Sequence, residues 1–147
     1  MLAPAPGDYS ARVDFRHLAI EGPPGSGKSV LADRLGTRLD ALVVLDDAEN
    51  PFLADAHAGR AGAAFQAQLF SLLARHRQQG DLRQGDLFSQ ITVCDYLFDR
   101  DKIYAYVTLD DNELFIYQRL YDLLARDVPP PDAVIHLQAP ADTLWKR

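Results

Sequence analysis

A chain of 147 residues is one domain's worth, long enough to bury a core and too short for a second. The net charge of -6 is spread along the chain, so no polyanionic nucleic-acid partner is expected; the densest basic cluster, RHRQQ from Arg75, reads as a solvated helix face. The single Cys94 excludes an intramolecular disulfide framework and a thiolate metal site, and the lack of a signal-like or membrane-spanning apolar run points to a cytoplasmic protein with no membrane contact.

Residues 1–16 carry prolines and glycine but little apolar periodicity, and read as a flexible leader to a domain at 17–147. HLAIEG from His17 is a short strand closed by glycine, and Val30, Leu31, Leu35 and Leu39 then fall at helical spacing. ALVVL from Ala41 repeats the strand signal and runs into an acidic turn, DDAENP. The stretch from Ala63 to about Gln79 has the length and period of a helix, with Gly80 and Gly85 punctuating the next residues. QITVC is a third strand. A second long helix is expected to open at Asp111 or Asn112 and to close before VPPPD, where three prolines forbid continuation, and AVIHLQ is a fourth strand. Strands alternating with helices imply an α/β domain with a mostly parallel sheet, whose ligands bind beyond the carboxyl ends of the strands. Asp95 stands at such an end.

Residues 22–29, GPPGSGKS, match the phosphate-loop pattern in full and sit after a strand and before a helix, as that pattern requires. Gly22, Pro23, Pro24, Gly25, Ser26 and Gly27 would turn backbone N–H groups toward phosphate oxygens. The helix N-terminus adds partial positive charge, Lys28 a point cation, and Ser29 a hydroxyl for Mg²⁺. This predicts binding of a nucleoside triphosphate, with ATP and Mg²⁺ as the donor pair. The sequence has no Asn-Lys-x-Asp guanine-reading motif. Asp95 is open to two readings from its position alone: an acid reaching Mg²⁺, or a base for an attacking hydroxyl. The structural alternative is a cap or turn acid for YLFDRDK.

The loop at Gly22, ENPFL from Glu49, FQAQLFSLLARHRQQ from Phe65, CDYLFDRDKIYA from Cys94, IYQRLYDLL from Ile116 and PDAVIHLQAP from Pro131 together resemble the bacterial branch of the deoxynucleoside kinases. The resemblance runs from about Leu18 to the last residue and keeps the family's order and approximate spacing. It implies a three-layer phosphate-loop domain and transfer of the ATP γ-phosphoryl group to a deoxynucleoside 5′-hydroxyl in nucleotide salvage, with purines favoured. It further implies a general base or hydroxyl-orienting acid at Asp95, base recognition by Gln68 and Arg75, stacking by Tyr104, and an acid near the 5′ end at Asp46 or Asp47. A homodimer is implied as well, in keeping with the wide apolar surfaces of the two long helices.

Three departures from the family pattern stand out. Tyr96 follows Asp95 where the family often has arginine, so Arg100 or another cation would have to substitute. His57 falls where a tyrosine usually holds the sugar 3′-hydroxyl. The sequence stops one turn into the helix after strand four, before the family's arginine-rich lid and last strand, with Lys146 and Arg147 expected as the first lid-side cations. This leaves two alternatives to the kinase reading: a truncated module that holds a nucleotide without useful turnover, or another small-molecule kinase with a phosphate loop.

Overall fold

The computed structural model of the chain describes residues 15–46, 48–85 and 91–146, with the backbone alone for 83–85. Four parallel strands form one sheet: β1 (His17–Glu21), β2 (Leu42–Val44), β3 (Thr92–Cys94) and β4 (Ala133–His136), in the spatial order β2-β3-β1-β4. Leu18 pairs with Val93 on one side and Ala133 on the other, so β1 is central and its outgoing loop leaves from mid-sheet.

Side chains alternate across the sheet as the pleat requires. Leu18, Ile20 and Val93 bury themselves with Ala32 of α1 (Lys28–Leu39). On the other face, Val44, Cys94 and Tyr96 meet Leu82 of α3 (Ala63–Gly85). A third cluster, of Leu72, Phe98, Ala105, Tyr117 and Tyr121, joins α3 to α4 (Arg100–Thr108) and α5 (Asp111–Ala125). Helices on both faces of a parallel sheet are the architecture that the alternation predicts. The short helices α2 (Leu53–His57) and α6 (Ala141–Trp145) complete the described chain.

Local expectations are corrected at four places. The helix from Ala63 does not stop at Gln79: α3 passes through Gly80 and ends at Gly85. Buried Gln79, bonded to the Tyr96 hydroxyl, and Leu82, packed under Val44, hold the turns on either side of Gly80. That packing outweighs the ~1 kcal/mol a helical glycine costs. The N-cap of α5 is Asp110, one residue before the expected Asp111 or Asn112, because only Asp110 has a glutamate three residues on: Glu113 and Asp110 form a reciprocal capping box. Helices α2 and α4 have no counterpart among the expected elements; each is short, and the run DRDK at the start of α4 hides its apolar face. Finally, the end of the expected leader is fastened to the domain. Phe15 packs against the α1 side of the sheet, and the Arg16 and His17 amides both donate to Asp132 Oδ2. The rest of that leader, residues 1–14, lies outside the described residues.

Candidate functional site: a phosphate loop beside an acceptor-sized cavity

The loop after β1 is shaped by its glycines. Gly25 and Gly27 take φ of 80° and 93°, a region that residues with a Cβ avoid, and the turn between them closes on a bond from the Ser26 amide to Pro23 O at 3.1 Å. Gly27 is also the N-cap of α1, which has no side-chain cap and no acid in its first turn, so the helix end keeps its positive character for an anion. Ser26 Oγ is buried without a hydrogen-bond partner. Lys28 Nζ is folded back onto the carbonyls of Gly22 and Pro23, at 2.8 and 3.0 Å. Burial, then the charge of Arg100, lower the Lys28 ammonium below its usual range against the pull of Glu21, Asp95 and Asp46. Beside the loop lies an open cavity of about 720 Å³, lined on its apolar side by Val30, Leu31 and Leu137 and edged by Arg34.

Asp95 is buried where β3 ends. Its Oδ2 accepts the Ser29 hydroxyl at 2.6 Å and its Oδ1 accepts the Asp46 backbone amide at 2.7 Å. It caps no helix: Asp99 occupies the N-cap position of α4. A hydroxyl and a carboxylate oxygen at contact distance are hard donors suited to Mg²⁺. Among the described residues no cluster of three or more His, Cys, Asp or Glu could cage a metal alone.

A second cavity, of about 330 Å³, opens on the other side of Asp46, between the end of β2, α3 and α4. Asp46, Gln68, Arg75 and Tyr104, four of the residues expected to touch substrate, all line it, joined by Asp101 and Gln78. Gln68 Oε1 is buried with no partner. Arg75 spans two acids: its Nε and Nη2 reach the Asp46 carboxylate at 3.1 and 2.9 Å, and its Nη1 reaches Asp101, which also accepts the Tyr117 hydroxyl. Burial would raise the Asp46 carboxyl, but the hydrogen bonds and charge of Arg75, with Arg100 behind them, hold it below the usual carboxylate range. Burial wins at Asp101, whose carboxyl is pushed up despite Tyr117 and Arg75.

Arg100 joins the two halves. Its Nη2 bonds Asp46, and its Nη1 lies 3.6 Å from Glu21, the residue before the loop. Glu21 in turn accepts the Gly22 amide at 2.8 Å and the Leu97 amide at 3.1 Å. Asn50 of ENPFL serves the frame: its side chain donates to Ala67 O and Ser71 Oγ on α3 and accepts the Phe52 amide.

The remaining expected residues stand apart. His57 is exposed at the end of α2, and Leu53, one turn earlier, lines the cavity in its place. Lys146 is exposed after α6 and does not line the donor cavity. Asp47 and Arg147 lie outside the described residues. Sequence reasoning missed Glu21, Gln78 and Asp101. The one signal for Asp101 was DRDK shortly after Asp95, which becomes informative only once α4 is seen to turn its second residue inward.

A sequence model of the deoxynucleoside kinases matches residues 18–147. Deoxyguanosine kinase of Bacillus subtilis (strain 168) is 32% identical over 136 residues, covering 88% of this chain and 64% of that protein. The chain thus spans less than two thirds of the length of that relative. Deoxyadenosine kinase from M. mycoides, solved with products dCMP and dCDP, superposes with a TM-score of 0.67 at 25% identity, over 88% of this chain and 67% of that one. With dATP bound, the same kinase superposes at 0.70 and 23% identity. On this match and the phosphate loop set beside Asp95, the chain belongs to the deoxynucleoside kinase family, a family of phosphotransferases.

Proposed function

We propose that the chain carries the donor loop and acceptor pocket of a kinase that moves the γ-phosphoryl group of ATP to the 5′-hydroxyl of a deoxynucleoside. One observation carries this reading: Asp46 touches both halves, its amide on the Ser29-bound Asp95 and its carboxylate in the second cavity.

Lys28 and the loop amides would hold the donor phosphates. Ser29 and Asp95 would hold Mg²⁺, which when bound neutralises charge on the phosphates. The resemblance put the base at Asp95, whose Oδ2 is held by Ser29 on the loop side and whose Oδ1 accepts the Asp46 amide; because Asp46 and not Asp95 lines the second cavity, Asp46 is the acid we assign to orient the acceptor hydroxyl and take its proton, with Arg75 and Arg100 sharing its oxygens. A low carboxyl pKa is no obstacle, since phosphoryl transfer asks mainly for positioning and charge neutralisation. Arg100, between Glu21 and Asp46, is the cation best placed to do the work of the arginine that Tyr96 replaces. On the base side, the unpartnered Gln68 Oε1 can accept from an exocyclic amine or ring N–H, Arg75 can donate, and Tyr104 can stack. Purine deoxynucleosides are the favoured acceptors, given the similarity to deoxyguanosine kinase. The exposed Ile103, Val107, Phe115 and Ile116 of α4 and α5 support a homodimer.

The test is transfer of labelled γ-phosphate with Mg²⁺ to each of the four deoxynucleosides, with Lys28→Ala as background. Transfer to one or two acceptors that the substitution abolishes bears the proposal out. No transfer above background, with nucleotide still bound, makes the chain a binding module instead.

A further inference from the structure

The peptide unit between Leu45 and Asp46 is held from both sides by side chains of other elements. Its N–H donates to Asp95 Oδ1 from the end of β3, at 2.7 Å. Its C=O, on Leu45, accepts Gln78 Nε2 from α3, at 3.0 Å. No helix or strand includes these two residues, so this pair of bonds sets the backbone from which the Asp46 side chain departs, and Arg75 and Arg100 then hold its carboxylate. Gln78 is itself fixed: the Tyr96 hydroxyl donates to Gln78 Oε1 at 2.7 Å, and that hydroxyl accepts Gln79 Nε2 at 2.9 Å. Tyr96 is 1% exposed, its ring beneath the Arg75 guanidinium at 5.9 Å, and it does not line the acceptor cavity.

We propose that Gln78, oriented by Tyr96, is a positioning residue that sets the Leu45–Asp46 peptide and so aims the Asp46 carboxylate into the acceptor cavity. This rests on the reading of Asp46 given above. It also accounts for Tyr96 after Asp95. An arginine there would bring a second charge beside Arg75 into a buried place, whereas a tyrosine supplies one donor and one acceptor to a relay of two glutamines. Free rotation of the Gln78 amide would let its carbonyl face Leu45 O; the Tyr96 hydroxyl forbids that flip because it needs the same carbonyl as acceptor.

The decisive measurement does not need turnover. Hydrogen exchange at the Asp46 amide, followed by NMR in the whole chain, is expected to quicken at least about tenfold in Tyr96→Phe and Gln78→Met relative to the β1 and β3 amides. Gln79→Met removes the bonds to Tyr96 and to Cys94 Sγ but leaves the Tyr96–Gln78 bond in place, and is expected to lower Tm without singling out Asp46. Uniform quickening across the sheet in all three variants, or no change at Asp46 in the first two, overturns the proposal. In transfer assays, Tyr96→Phe and Gln78→Met should each lower kcat roughly tenfold or more, with KM for Mg-ATP unchanged. Their double variant should be no worse than the worse single, because the two act in series. A raised deoxynucleoside KM in Gln78→Met alone, with Tyr96→Phe like wild type, would make Gln78 a substrate contact and sink the relay. Asp46→Asn, run in parallel, keeps the two ideas apart: wild-type turnover there refutes the role of Asp46, whatever the exchange data say of Gln78.

Discussion

At the scale of single residues, the site separates two acids that sequence position alone could not rank. Asp95 faces the loop through Ser29, and Asp46 faces the cavity with Arg75 and Arg100 on its carboxylate. Their variants should therefore fail differently. Asp46→Asn is expected to lower kcat by roughly a hundredfold or more, on the order of the loss of a transition-state contact, with little change in ATP affinity. Asp95→Asn is expected to raise the Mg²⁺ concentration giving half-maximal rate by roughly tenfold. Titrations of rate against Mg²⁺ and ATP with both variants check this; an unchanged Mg²⁺ dependence in Asp95→Asn would remove that residue from the metal site.

At the scale of elements, two small features decide how the helices sit. Gly36 faces β2, where a Cβ would lie 2.2 Å from Val43 Cγ2. Gly36→Ala should force α1 off the sheet and cost about 1–3 kcal/mol, as overpacking does. Asp110→Ala removes the capping box of α5 and should cost about 1 kcal/mol. The sites belong to different elements with no shared partner, so urea denaturation of the double variant should return close to the sum. Because α1 begins at Lys28, Gly36→Ala should also weaken nucleotide binding, while Asp110→Ala should not.

At the scale of the whole molecule, stability should depend on pH through groups that tie distant strands together. Burial lowers the His17 imidazole below its ordinary value of 6.5, against the pull of nearby Asp132; its ring lies 3.4 Å from Cys94 Sγ between β1 and β3. The unfolded chain therefore takes up this proton first. The His17 contribution is full above about pH 6.5 and is lost as pH falls from there to the lowered folded value. Asp46 acts at lower pH: its contribution is present above its unfolded value near 3.8 and is lost as pH falls through the lower folded one. Urea midpoints should thus drop between about pH 7.5 and 5.5 in the wild type and less in His17→Asn; equal slopes would rule out His17 as the cause.

The strand-loop-helix at Gly22–Ser29, the α/β alternation and the presence of Gln68 and Arg75 on one helix were legible in the sequence; α4, which carries Tyr104, was not. The legible signals are local: glycine spacing, apolar period and proline stops act over a few residues. The joins were not legible. Glu21 and Asp101 read as ordinary charges until β1 and α4 are brought to the ends of Arg100 and Arg75, and Gln78 reads as surface until α3 runs past Gly80 and under β2. His57 kept the expected spacing yet missed the cavity, because a short helix of its own, α2, sets the half-exposed Leu53 at the cavity's rim instead. Residues close in sequence set the loop and the elements; the neighbours of Asp46 and Asp95, on which the proposed division of labour rests, were decided by tertiary structure, since only there do side chains dozens of residues apart reach the same carboxylates.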